Sequence, residues 1–402
     1  MQGSRVGHFG CREEEEVSDF ENVDKRFLYR RAALKWAPWP EDVISLSVAD
    51  IDFPASRDIK DGVIRAVNED RTPYGSYGGD ADVIDAVCHK LNHVNHVPAT
   101  PEDVHMIPGT MFAIFLACYY FLKPGDEAVI CPAPVYPPFI HNILNAQAVP
   151  VFNPLDFKGG LKLDLEDLES RMTPRTRLLM VSNPHNPAGR VFSRKELEGI
   201  AKIAQEHELL VFADELYEDM IFEGEHISIA SLSDDLFERT LTVFGFSKAF
   251  GIPGYRIAYL TSRGKFMKGL KRRIHDMIVH TDTLAQAAAK AALTSGKPWL
   301  EKLMAHLKMM RNRGVERLSQ IPGVWCPIPQ ATPFLFPNIS SFGMTSKEMT
   351  DYLKRKAKVI VMDGSEFGPP GDGFVRLNIA TSPPVLAEAI SRIEEALLAL
   401  RK

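Results

Sequence analysis

Lys248 closes an apolar, β-branched run (Leu241 to Phe246), and Arg256 follows across a turn rich in Gly and Pro. Delivered by a buried strand into a dry crevice beside other cations, such a lysine gives up its proton readily. Its neutral amine then attacks carbonyl carbon, which is Schiff-base chemistry. For a lone lysine the ordinary reading is a stem laid on the surface with its charge in water. Two further apolar runs also end in polar groups. RLLMVS (177–182) leads into NPHNPAG (183–189), which holds Asn186, and ELLVFA (208–213) leads into Asp214 with Tyr217 close behind. Singly these are a turn, a helix cap and a packing ring. Jointly they resist that reading, because a strand-end carboxylate and a strand-end amine in one crevice imply a ligand between them.

The remaining polar groups suit a phosphorylated ligand. Gly109-Thr110-Met111 opens the apolar stretch 111–122, so free backbone N–H groups and a helix dipole would face the crevice. Arg256 offers a bidentate fork for phosphate. Tyr136, in PAPVYPPF, offers a face on which a flat ring can stack. A phosphate, a flat ring, a carboxylate for a ring nitrogen and a lysine for an aldehyde together describe pyridoxal phosphate.

The elements that must position these groups read as an α/β fold. Strand candidates are 127–131, 147–152, 177–182, 208–213, 241–246 and 255–260, apolar and interleaved with helical stretches. One of the helical stretches, 193–207, opens with Ser193 and Glu196 at capping-box spacing. The alternation predicts a mostly parallel sheet sandwiched by helices, with ligands at the carboxyl ends of its strands. Helices are also expected at 56–70 and 81–93, with the turn TPYGSYGGD (72–80) between them, and ISLSVADIDFPAS (44–56) should be extended. A helix-rich span (265–320) leads to an α+β region with FVRLNIA (374–380) and a helix from 384. The expected division is a mobile leader (1–25), a smaller α+β domain (26–55 and 300–402) and a large cofactor-binding domain (56–299).

The 402 residues are 45% hydrophobic and 25% charged, with a formal net charge of −5. That balance favours neither a nucleic-acid nor a membrane partner, and the stretch 111–122 is too short to span a bilayer. Cys11, Cys88, Cys118, Cys131 and Cys326 are scattered without a CxxC pair and are expected to be reduced thiols of a cytoplasmic protein. The acidic run Glu13 to Glu16 argues against a signal segment. No metal site is expected.

Over residues 40–400 the chain resembles the fold type I pyridoxal-phosphate enzymes, specifically the class I/II aminotransferases. The likeness rests on SKAFGIPGYRIAY (247–259), NPHNPAG and ADELY (213–217). The resemblance implies that Lys248 holds the cofactor as a Schiff base and later carries the substrate's α-proton. It implies Asp214 on the ring nitrogen, Asn186 and Tyr217 on the phenolic oxygen, and Tyr136 stacked on the ring. Arg256, Ser247 and the Gly109–Met111 turn would hold the phosphate, joined by Tyr74 from the partner subunit of a homodimer. Arg376 would grip the substrate's α-carboxylate, with Ala49 and Asn186 beside it. The expected substrates are an α-amino acid and a 2-oxo acid.

Three positions depart from that pattern. Gly245 stands where many members have a phosphate-binding serine, Met111 where a Ser or Thr is usual, and Ala49 in place of a common glycine. The stretch KW…SVADIDFPAS (35–56) resembles instead the cystathionine β-lyase-like carbon–sulfur lyases. β-Elimination with release of pyruvate and ammonia is therefore the alternative activity, and a non-catalytic cofactor-binding regulatory protein a lesser one. The His275–Thr283 stretch is a candidate pocket edge, although its histidines also read as ordinary surface or packing residues.

Overall fold

A computed structural model describes residues 20–31, 34–157 and 159–401. Most of the expected leader thus lies outside the described residues. Its last part does not hang free: the Phe20 ring meets Phe53 edge-on at 4.7 Å and lies 5.4 Å from His306.

Seven strands form the central sheet: β1 (Val104–Ile107), β2 (Glu127–Ala133), β3 (Val149–Pro154), β4 (Thr176–Ser182), β5 (Leu210–Asp214), β6 (Thr240–Gly245) and β7 (Ala258–Thr261). Their order across the sheet is β1-β7-β6-β5-β4-β2-β3. Neighbours from β6 through β3 run parallel, whereas β7 is antiparallel to both β6 and β1. The sheet is therefore mostly parallel, as the strand pattern predicts. Its interior strands are buried along nearly their whole length because helices cover both faces. β1 escapes the sequence pattern: four residues with a histidine among them, stopped by Pro108, do not read as a strand.

The helices follow from local signals. Arg194–Glu206 starts at a complete capping box, with Ser193 Oγ accepting from Glu196 N–H and the Glu196 carboxylate accepting from Ser193 N–H at 2.8 Å. Helix Arg57–Asn68 lies tightly on helix Thr283–Ser295, where a Cβ on Gly62 would stand 2.8 Å from Ala291 Cβ. A separate hydrophobic cluster joins Trp36, Leu46, Met310, Leu353, Leu377 and Ile390. It holds a three-stranded antiparallel sheet (Met362–Asp363, Val375–Asn378, Phe334–Leu335) and a short parallel pair, Ile44–Ser45 with Val359–Ile360.

Only those two residues of the stretch expected to be extended pair as a strand. Beyond Ser45 the carbonyls of Ser47, Val48, Ala49 and Asp50 accept from side chains instead of a neighbouring strand. Among the described residues no helix is long and apolar enough to cross a membrane.

Candidate active site

The carboxyl ends of β4, β5 and β6 open on one crevice, and each delivers a polar group. Beyond β6, Lys248 directs Nζ to the Ala49 carbonyl at 2.6 Å. Burial above all lowers its pKa to about 8; Arg376 and Arg256 push the same way, while Asp50 and Asp214 oppose them. At the end of β5, Asp214 is pushed up to about 6, mainly by burial, although the Leu216 N–H donates to its Oδ1 at 3.1 Å. Among the described residues no cation forms an ion pair with Asp214. A buried carboxylate that no cation pairs directly fits a protonated ring nitrogen.

Arg376, 3% exposed, lies between the rings of Phe334 and Phe367, at 4.1 and 4.9 Å from their centres. Its Nη1 donates to Asn186 Oδ1 at 2.9 Å and its Nη2 to the Ser47 carbonyl at 3.1 Å, while Nε has no partner. Burial draws its pKa down to about 10. A desolvated guanidinium held by neutral acceptors is prepared for a carboxylate that none of the described residues supplies.

The phosphate end is equally open. Gly109 has φ +90°, and a Cβ there would stand 2.7 Å from Arg256 Nη2, so the guanidinium rests against bare backbone. Gly109 precedes helix Thr110–Phe121, whose first N–H groups have no intrahelical acceptor. Ser247 is buried, and its hydroxyl has no hydrogen-bond partner among the described residues. The half-buried Tyr136 donates its hydroxyl to Met111 Sδ at 3.4 Å, and Tyr217 is buried edge-on against Phe334. These groups fit the ring, phosphate and aldehyde of pyridoxal phosphate.

Gly245 has a steric reason. A Cβ would meet Leu216 Cδ1 at 2.9 Å and Thr110 Cγ2 at 3.2 Å, so a side chain there needs both neighbours to give way. Tyr74 is not brought to this chain's Lys248: it is 89% exposed and meets His280 edge-on. From the His275–Thr283 stretch, His280 and Thr281 line a cleft of about 470 Å³ that also contains Arg256.

Several residues that shape the site were not visible in the sequence. Asn378 Nδ2 donates to the Val48 and Asp50 carbonyls at 2.6 and 2.7 Å. Two residues along its strand from Arg376, it shares that residue's face. Asp50, whose Oδ1 is buried without a partner, stands near Lys248. A strand-face reading of FVRLNIA could have found Asn378; nothing local marks Phe334, Phe367 or Ser47.

The family model for aminotransferase class I and II matches residues 41–393. The chain belongs to that family, whose cofactor is pyridoxal phosphate. It is 34% identical over 361 residues to aromatic-amino-acid aminotransferase 2 of Thermococcus litoralis, covering 89% of this chain and 92% of the relative. It is 32% identical to cystathionine beta-lyase PatB of Bacillus subtilis, covering 94% of this chain and all of that protein. A pyridoxal-phosphate-bound structure from Clostridium difficile 630 superposes with a TM-score of 0.88 at 26% identity, covering 94% of this chain and 99% of that one.

Proposed function

We propose that Lys248 carries the pyridoxal phosphate of this aminotransferase and that the chain uses it to move an amino group from an α-amino acid to a 2-oxo acid. The observation that carries the residue assignment is Arg376, a buried cation with no acidic partner among the described residues, in the same crevice as a lysine of depressed proton affinity. When bound, the cofactor supplies an aldehyde for amine exchange and a protonated ring that takes up the electron pair of the Cα–H bond. Asp214 would hold the proton at the ring nitrogen. Asn186 and the Tyr217 hydroxyl would hold the phenolic oxygen, and Tyr136 the ring face. Arg256, Ser247 and the N–H groups of the Gly109–Met111 turn would hold the phosphate.

Arg376 fixes the substrate's α-carboxylate through parallel hydrogen bonds and so turns Cα–H toward Lys248. Burial in the crevice lowers the pKa of Lys248 to about 8 and so favours its neutral form relative to that of an exposed lysine. That neutral Nζ takes the proton from Cα and hands it on as a general acid. The Ala49 carbonyl steadies Nζ between these tasks.

A second reading is carbon–sulfur β-elimination, favoured by the full-length match to the Bacillus lyase. A donor panel including cystathionine and cysteine conjugates, assayed separately for cofactor amination and for pyruvate plus ammonia, distinguishes the two. Oxo acid from the donor without ammonia supports transamination; pyruvate with ammonia supports elimination. Tyr74 belongs to the same proposal as a group that reaches the partner's phosphate in a homodimer, which its exposed position suits. So do the division into two domains and a cytoplasmic setting, the latter in keeping with four free thiols among the described residues.

A further inference from the structure

Lys35 and Trp36 close on Asp52 in the folded chain. Lys35 Nζ lies 3.0 Å from Asp52 Oδ1, with both side chains almost wholly buried, and Trp36 Nε1 donates to the same oxygen at 2.7 Å. The Asp52 N–H in turn donates to the Ala380 carbonyl at 2.9 Å. A buried pair of this kind adds little stability over apolar packing; here it fixes position. Lys35 Nζ also reaches the Asp50 carbonyl at 3.3 Å, where Asn378 Nδ2 donates at 2.7 Å. On the far side Arg31 Nη1 donates to the carbonyls of Ile51 and Phe53 at 3.3 and 3.4 Å. The main chain on either side of the Asp50 side chain is therefore pinned.

Asp50 follows Ala49, whose carbonyl takes the Lys248 amine at 2.6 Å. Its own carboxylate is not spent on a direct partner. Oδ1 is buried without a hydrogen bond, and the group forms no ion pair among the described residues. Arg31, Lys35 and Lys248 face it and favour its charged form, against burial and the nearby Asp52. Lys35 is already taken by Asp52, and Arg31 is turned to main-chain carbonyls. Lys248 remains as the amine on which this charge can act. Burial draws the proton from Lys248. Among the charges around it Asp50 comes first and holds the proton, ahead of Arg376 and Arg256, which repel it, and Asp214, which attracts it.

We propose that Asp50 is a positioning residue for proton transfer: set in place by the clamp of Lys35, Trp36 and Asp52, its carboxylate keeps on Lys248 the proton taken from Cα until it is handed on. This rests on Lys248 being the base of the reaction, as proposed above.

The test reads Lys248 itself in the full-length, cofactor-free protein. Trace acetylation with acetic anhydride is run across pH and the Lys248 peptide is quantified by mass spectrometry, because only the neutral amine reacts. Wild type should be half reactive near pH 8. Asp50→Asn should shift that midpoint down by about one pH unit, as removal of one nearby negative charge does. Asp50→Glu should restore most of it, which a merely structural role would not require. Lys35→Met/Asp52→Asn removes one charge of each sign and strands neither, so a downward shift there reports the displaced Asp50. Trp36→Phe, which deletes one hydrogen bond of the clamp, takes its place if the double variant does not fold. Borohydride mapping separates the two possible failures. Cofactor on another lysine removes the base itself. Cofactor on Lys248 with a midpoint that Asp50→Asn leaves in place or raises overturns this proposal alone, and so does a clamp variant with an unmoved midpoint.

Discussion

Arg376 and Asp214 are buried charges that form no ion pair among the described residues, and each yields a test. Losing one partner of a desolvated guanidinium–carboxylate pair costs about 2–5 kcal/mol, so Arg376→Lys should lower kcat/KM for α-amino acids at least about tenfold. Amines without a carboxylate should be nearly unaffected. Steady-state kinetics on both substrate types checks this, and equal losses would make the residue structural.

Asp214 bears on stability. With its pKa raised to about 6, the folded chain keeps a proton that the unfolded chain sheds from about pH 4 upward. Stability is therefore lost between about pH 4 and 6, and by pH 7 the cost reaches about 3 kcal/mol at most. Cofactor-free Asp214→Asn should melt above cofactor-free wild type at about pH 8, with a smaller gain at about pH 5, while it binds cofactor more weakly. Calorimetric melts at the two pH values decide it, and an equal gain at both would refute the charge argument. For Lys248, borohydride reduction and peptide mapping should find the cofactor on that lysine; a label elsewhere ends the assignment.

At the scale of elements, strand ends carry the site, and strand ends are what the sequence displays best. Apolar runs that stop at Asp214, at Lys248 and before Asn186 mark both the strand and the side of the sheet on which the ligand sits. The hidden parts act across distance. Asn378 meets the Asp50 carbonyl 328 residues away, and a side chain bonded to main chain so remote leaves no local pattern. β1 was hidden for a different reason, since a short strand with His105 in it shows no β-branched run. Gly245 lay in plain view, but its cause did not, because Leu216 and Thr110 reach it from two other elements. Restoring the serine should therefore overpack the junction. Gly245→Ser is expected to lose about 1–3 kcal/mol of stability and to hold cofactor no better than wild type. Trimming the neighbour in Gly245→Ser/Leu216→Val should recover part of the loss. Chemical denaturation and cofactor dissociation measure both effects.

At the scale of the whole molecule, the crevice lies where the central sheet meets the cluster around Trp36, Leu46 and Leu377. Tyr74 is exposed in its own chain and rests edge-on against His280. If a second copy brings Tyr74 to the phosphate, then mixing Tyr74→Phe subunits with Lys248→Ala subunits should create some unaltered sites in hybrids. Activity above both parents is the expected result. Mixed dimers that never exceed the parents would exclude sharing.

The segment from Ser47 to Asp50 spans that same meeting place. Lys248 holds it from the central sheet, and Arg376 and Asn378 hold it from the other side. Once Lys248 is committed to a covalent partner, its hold on Ala49 is given up, and the segment answers to one side alone. The lysine is then a latch as well as a nucleophile. Loading the enzyme unfastens a strap, and amide exchange at Ala49 and its neighbours should quicken when cofactor binds, the reverse of the usual slowing on ligation.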